Sequence, residues 1–352
     1  MSSFPPYTWT NWRILLSGFY GLELDEASKE AFYTLTRREP PSEPAQELWL
    51  AIGRRGGKSN IAALLAVYEA VFNDHREVLA PGEVATVMVI AADRKQARSV
   101  MRYIHGLLIE NPMLARLVVR EGTEFIDLAN RCTIEIMTAT HRGTRGYTAA
   151  CVIADEIAFW HSDGANPDTE IINAVRPSLA TLDGKLIALS SPYARRGVLW
   201  RNYRRYFGQP GRVLVAQAPS LFMNPSLPEH VVSDARTADP ASAAAEYDAQ
   251  FRTDVEGYCS VEAVESCTRP GPLELPPSSG IRYKAFTDPS GGVSDAFTVT
   301  IAHQERENAV IDCVRAIRPP FNPEAVVEEF SQLLKQYRVS EVTGDAYAGQ
   351  WP

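Results

Sequence analysis

At 352 residues the chain has room for about two domains, and 45% hydrophobic with 22% charged residues is an ordinary globular balance. A net charge of −8 argues against a broad sequence-independent DNA-coating surface, and no apolar run approaches the roughly 20 residues needed to span a bilayer. The opening MSSFPPYTWTNW lacks the basic-then-apolar order of a secretion signal, and the five cysteines (132, 151, 259, 267 and 313) include no C-x-x-C pair, which suits reduced thiols in an intracellular protein better than zinc or disulfides.

Residues 11–20 and 25–35 have helical spacing, and the proline-rich REPPSEP ends that region. Gln46 stands just ahead of the first strand, where it is either a surface glutamine or a reader of an adenine edge. Residues 48–52 form an apolar run that predicts a buried strand. The loop Gly53-Arg54-Arg55-Gly56-Gly57 follows, and Lys58-Ser59 open an apolar helix over about 58–73. Strand, glycine loop, Lys-Ser and helix make a phosphate cradle. Backbone N–H groups and the helix N-terminus face the anion, Lys58 reaches the outer phosphates and the Ser59 hydroxyl ligates Mg²⁺. The strict G-x-x-x-x-G-K-[ST] pattern would put its first glycine at Ile52, and Gly53 sits one place late, so this is a deviant Walker A. A basic turn ahead of a helix is the alternative.

VATVMVIAA (84–92) predicts a second buried strand, Asp93 caps a helix after it, and CTIEIMTA (132–139) predicts a third strand. Alternating strands and helices imply a parallel α/β sheet. After the loop THRGTRGYT, the run CVIADE (151–156) predicts a central strand with two acids at its C-terminal end, the edge that faces phosphates in such sheets. There Asp155 would hold Mg²⁺ through its water shell, and Glu156 would orient and deprotonate the attacking water. Residues 168–180 are helical, and a strand at 186–189 ends in Ser190-Ser191-Pro192, which is either a sensor of the γ-phosphate or a plain strand-end turn. From 184 to 228 there is no Asp or Glu. Within that span GVLWRNYRRYF reads as a helix with Arg201, Arg204 and Arg205 on one face, either a polyanion-facing stripe or a solvated basic face.

The order GRRGGKS, Arg-Gly loop, VIADE, then SSP with a following Gly197 resembles the large terminase subunit of tailed bacteriophages, an ATP-driven DNA-packaging motor fused to an endonuclease. By that resemblance Arg54 matches the arginine of the family's shortened Walker A, Lys58 and Ser59 its lysine and hydroxyl residue, and Asp155-Glu156 its Walker B pair. Arg145-Gly146 matches the Arg-Gly ahead of Walker B, making Arg145 a candidate arginine finger worth roughly 10³–10⁵ in rate, with Arg142 either a second finger or a loop cation. Ser190, Ser191 and Pro192 match the ATPase coupling motif. The resemblance implies a parallel-sheet P-loop ATPase of the ASCE type followed by a ribonuclease-H-like α/β nuclease domain, apparently truncated. Its parts are an N-terminal helical segment (1–45), the ATPase core (46–218), a small helical subdomain (219–265), a proline- and serine-rich linker (266–280) and the nuclease domain (281–352).

From 281 the pattern changes to three strands with short turns (281–288, 296–303, 308–317), an amphipathic helix PEAVVEEFSQLLKQY and a strand SEVTGD. In a ribonuclease-H-like fold Asp288 and Asp345 end adjacent strands and would hold two divalent ions, Mg²⁺ or Mn²⁺, roughly 3.5–4 Å apart. Each aspartate alone could equally be a turn former. Asp295 is a further acid with a supporting role in view. The family's third nuclease acid has no counterpart before Pro352, so the sequence leaves a fragment or a degenerate nuclease as the expectation. The resemblance further implies ATP and Mg²⁺ as ligands and double-stranded DNA, the portal protein and a small terminase subunit as partners. It implies a homo-oligomeric ring in the host cytoplasm at the procapsid portal, no membrane, and no place in the mature virion. A helicase-like ATPase is the alternative, and a nucleotide-binding scaffold without turnover is a third reading against which Glu156 argues.

Overall fold

The computed structural model describes residues 4–139, 146–160, 167–252, 264, 266–292 and 295–344. The chain divides into two compact units, Met1–Tyr258 and Cys259–Pro352. Among the described residues no helix is long and apolar enough to cross a membrane.

The first unit is built on an eight-stranded sheet of order β3-β4-β5-β2-β6-β7-β1-β8. The strands are β1 Glu47–Ile52, β2 Ala85–Ala91, β3 Val118–Glu121, β4 Phe125–Leu128, β5 Cys132–Thr138, β6 Thr148–Asp155, β7 Lys185–Ser190 and β8 Val213–Ala218. From β5 to β8 every neighbouring pair is parallel, and only the β3-β4-β5 edge is antiparallel. Parallel sheets are covered on both faces, so their strands read as unbroken apolar runs. Alternate side chains accordingly go to opposite sides: Leu48, Leu50 and Ile52 join one core, and Trp49 joins the other.

The first face is covered by α1 Pro6–Phe19, α2 Glu26–Thr36, α3 Lys58–Val71 and α4 Arg94–Glu110. A short helix, α5 Pro112–Ala115, leads from α4 to β3. The second face packs on α6 Pro167–Val175 and α7 Gly197–Tyr206. Three helices then close the unit: α8 Ser220–Met223, α9 Glu229–Ala238 and α10 Pro240–Glu246. Asp93 caps α4 by accepting the Gln96 N–H at 2.9 Å, as the sequence suggests. Three strands that the sequence reading did not distinguish, β3, β4 and β8, fill the two edges of the sheet.

The parallel strands fix which end of the sheet a residue occupies. Gln46 precedes β1 and therefore lies at the N-terminal edge, where its side-chain amide donates to Asp183 Oδ1 at 2.6 Å and its backbone pairs with Arg212 and Leu186. A phosphate cradle in the loop after β1 would lie at the opposite edge, so of the two readings of Gln46 the surface glutamine fits this placement and the adenine reader does not.

The second unit carries a four-stranded sheet of order β11-β10-β9-β12, from β9 Tyr283–Asp288, β10 Phe297–Glu305, β11 Asn308–Ile317 and β12 Val342–Gly344. The first three are antiparallel in sequence order, and β12 pairs parallel to β9. The helix Pro323–Gln336 lays Val326, Phe330 and Leu333 over Ala285, Phe297, Val299 and Ile301. The stretch 266–280, read as a linker, is partly hydrogen-bonded into this unit. Glu274 grips Arg315 with two bonds of 2.9 Å, and the Leu275 N–H donates to the Asp312 carbonyl at 2.8 Å.

The C-terminal cap of α1, Tyr20, is joined to α3 by a buried carboxylate. Glu69, on α3, accepts from Tyr20 Oη at 2.6 Å and from Asn73 Nδ2 at 2.5 Å, and burial pushes its carboxyl above the usual range. Tyr20→Phe leaves that carboxylate short of a donor and is expected to cost about 1–3 kcal/mol. Thermal melting reads this as a fall of about 2–4 °C per kcal/mol for a unit of this size. An unchanged melting temperature would show that the bond contributes nothing.

Candidate active site

β6, β7 and β1 are consecutive and parallel, so their C-terminal ends meet at one edge. β1 runs into the Gly53–Gly57 loop, β6 ends at Asp155-Glu156 and β7 ends at Ser190. Because β7 lies between the other two, Ser190 and Ser191 stand between the loop lysine and the acid pair. The predicted candidates at 58, 155, 156, 190 and 191 are thereby brought together.

Lys58 is buried at the start of α3, 6% exposed. Its ammonium donates to the Ile52 carbonyl at 3.1 Å, the Gly53 carbonyl at 3.4 Å and Ser191 Oγ at 2.9 Å, and it lies 3.7 Å from Glu156 Oε1. Burial pulls its pKa down, and Glu156 and Asp155 oppose that shift. Glu156 closes the group from the other side. Its Oε2 accepts from Ser190 Oγ at 3.0 Å and from the Ser191 N–H at 3.3 Å. The residue sits in the left-handed region at φ 49°, unusual for a non-glycine, and there the chain turns sharply out of β6.

Asp155 is 3% exposed, and its Oδ1 has no hydrogen-bond partner. Burial first, and the neighbouring Glu156 charge second, push its carboxyl up to about 7, while Lys58 opposes them. An unpartnered buried carboxylate oxygen beside the Gly53–Gly57 loop suits a cation or the water around one. Ser59 follows Lys58 on the first turn of α3 and is half-buried.

The loop itself is held by elements far away in sequence. Arg54 points out of the site and pairs with Glu246 at 2.6 Å, and its backbone N–H donates to the Glu246 carbonyl. Gly53 is required by close approach, because a Cβ there would lie 2.4 Å from Ser220 Oγ and 2.6 Å from the Tyr247 carbonyl. Arg55 and Gly57 take positive φ (64° and 94°), which shapes the turn into α3. Gly56 is buried. Glu246 and Ser220 carry no motif, and their part in the loop could not be read from the sequence.

Pro192 is buried, and residues 192–196 connect the two serines to α7. The N-terminus of α7 is held by Asp168, whose carboxylate accepts the Val198 N–H. Val198, Leu199 and Asn202 face inward, whereas Arg201, Arg204 and Arg205 are exposed, so the basic face of this helix is at the surface. Arg145 and Arg142 lie outside the described residues, as does Asp345. In the second unit Asp288 is exposed at the end of β9 beside Thr298, and Asp295 is exposed with its carbonyl accepting from Ser290 Oγ at 2.7 Å.

No protein-family model matches the sequence, and no curated protein matches it. Among solved structures, the chain is similar to the large terminase of bacteriophage HK97, at 19% identity over 96% of this chain and 74% of that one, with a TM-score of 0.51. It is also similar to the large terminase of a thermophilic bacteriophage (9% identity, 98% and 78% covered, TM-score 0.47). The ATPase domain of the Thermus phage P74-26 large terminase is similar at 18% identity (62% and 97% covered, TM-score 0.46). The HK97 likeness establishes a shared mixed α/β fold with a mostly parallel sheet.

Asp155 binds its proton more tightly in the folded chain than in the unfolded one. Its presence therefore costs stability progressively as pH rises from 3.8 through about 7. Asp155→Asn should melt above the wild type at about pH 8, with the gain shrinking toward about pH 4. An equal difference at both pH values would contradict the raised carboxyl.

Proposed function

We propose that this chain is a phage large terminase: an ATPase that drives double-stranded DNA into a procapsid, joined to a metal-dependent nuclease module that cuts concatemeric DNA. The observation that carries the reading is the single hydrogen-bonded group formed by Lys58, Ser191, Ser190 and Glu156 at the phosphate-facing edge of a parallel sheet. The strand inserted between the Walker A and acid-pair strands supports an ASCE-type ATPase.

In this reading the triphosphate lies along the Gly53–Gly57 loop and the N-terminus of α3, where backbone N–H groups and the helix dipole favour an anion. Lys58 leaves its loop carbonyls for the outer phosphates. Ser59, and Asp155 through water, would hold Mg²⁺, which would supply neutralisation of phosphate charge. Glu156 orients the attacking water and takes its proton. Arg145 is the proposed finger acting on a neighbouring subunit's ATP in a ring, and Arg54 is the Walker A arginine. Ser191 touches Lys58 and both serines touch Glu156, so loss of the γ-phosphate would alter their bonds first, and Pro192 with the short connection to α7 would carry the change outward.

The strand order of the second unit, third-second-first-fourth with the fourth parallel to the first, supports a ribonuclease-H-like module. Asp288 and Asp345 are its proposed ligands for two Mg²⁺ or Mn²⁺ ions. The proposed partners are DNA, the portal protein and a small terminase subunit, met in the host cytoplasm at the procapsid.

DNA-stimulated ATP hydrolysis by the purified protein tests the motor. Lys58→Ala and Glu156→Gln should each lower turnover by at least about 10²-fold. Turnover that survives both substitutions would remove the site from the mechanism. The exposed arginines of α7 are the proposed DNA contact, directed at phosphates and therefore salt-sensitive. Reversing Arg201, Arg204 and Arg205 to Glu should weaken DNA binding and flatten its salt dependence, and unchanged binding would assign the DNA surface elsewhere.

A further inference from the structure

Three consecutive carbonyls of the phosphate loop are each held by a side-chain donor from outside the strand–loop–helix unit. Arg54 O accepts from Ser220 Oγ at 2.6 Å, Arg55 O from Asn224 Nδ2 at 2.9 Å and Gly56 O from Trp12 Nε1 at 2.7 Å. In a planar trans peptide the C=O and the following N–H point in opposite directions. Holding each carbonyl therefore fixes the N–H that follows it, of Arg55, Gly56 and Gly57, on the opposite side of its own peptide plane. The Gly56 N–H closes the turn onto the Gly53 carbonyl at 3.1 Å, whereas those of Arg55 and Gly57 meet no protein acceptor among the described residues.

The donors are themselves anchored. Trp12 is buried at 1% exposure, and Trp9 packs so close to Gly57 that a Cβ there would lie 2.8 Å from its ring. Asn11, between them, donates to the Phe222 carbonyl at 2.6 Å, which ties α1 to α8. The Ser220 N–H donates to the Tyr247 carbonyl at 2.7 Å.

We infer that Trp12, Ser220 and Asn224 are positioning residues for triphosphate binding, presetting the loop N–H groups toward the phosphates from the N-terminal helix and the small helical subdomain. The inference rests on the nucleotide reading of the site. It assigns α1 a part in binding that its sequence, apart from two tryptophans three residues apart, does not announce.

The test is steady-state ATP hydrolysis by the full chain carrying Trp12→Phe, Ser220→Ala or Asn224→Ala, with Lys58→Ala as control. Trp12→Phe keeps an aromatic ring at the site and removes the indole donor together with part of the ring volume. Its KM for ATP should rise about tenfold and that of Asn224→Ala about threefold, with kcat held within about twofold because Lys58, Ser190, Ser191 and Glu156 are untouched. A merely structural role would instead lower kcat with the folded fraction and leave KM where it was. Unchanged KM in both Trp12→Phe and Asn224→Ala overturns the inference while the site reading stands. If Trp12→Phe does not fold, Ser220→Ala and Asn224→Ala decide by the same criterion. A wild-type chain that neither hydrolyses ATP nor binds ATPγS would sink the nucleotide reading itself, and this inference with it.

Discussion

The structure of the site depends on one buried cation. An ammonium taken out of water costs several kcal/mol unless it is paired and fully hydrogen-bonded, and Lys58 meets that demand with two loop carbonyls, a serine hydroxyl and a nearby carboxylate. Each of those partners is fixed in return. The loop curls back on the lysine, Ser191 is oriented toward it, and Glu156 turns out of β6 in a left-handed conformation to face it and the serines. Removing the lysine would leave three strand ends without their common contact.

Under the proposed function the same arrangement would give nucleotide binding a mechanical consequence. Lys58 cannot serve outer phosphates and the carbonyls of Ile52 and Gly53 at once, so an incoming triphosphate would exchange one set of acceptors for another. Ser191 shares the lysine, and Ser190 and Ser191 share Glu156, so that exchange would be felt at the end of β7. From there the buried Pro192 and a short connection lead to α7, whose N-terminus is fastened by Asp168. Sheet order makes this possible, since only a strand placed between the lysine and the acids could report on both.

Much of this was legible in the sequence because parallel strands covered on both faces leave unbroken apolar runs. The runs ending at Ile52, Ala91 and Asp155 stood out for that reason, as did the glycine loop and the twin acids. The edges of the sheet were harder to read. VVRE and FIDL are short and half exposed, and VLVAQA follows a basic helix with a glutamine inside it, so no period separates these strands from loops. Arg54 and Glu246 are 192 residues apart, and no local pattern links them. Gln46 is a different case. Its two readings stayed open on sequence proximity alone, and the polarity of a parallel strand, which assigns it to the N-terminal edge, favours the surface glutamine. The linker reading of 266–280 followed from proline and serine content, which does not reveal that Glu274 would find Arg315.

The most direct measurement is a crystal structure of the chain with Mg²⁺ and ATPγS. The account predicts the phosphates along the Gly53–Gly57 loop, Lys58 withdrawn from the Ile52 and Gly53 carbonyls to the outer phosphates, and the terminal phosphate facing Glu156. A nucleotide seated elsewhere, with Lys58 still bonded to its loop carbonyls, would contradict it.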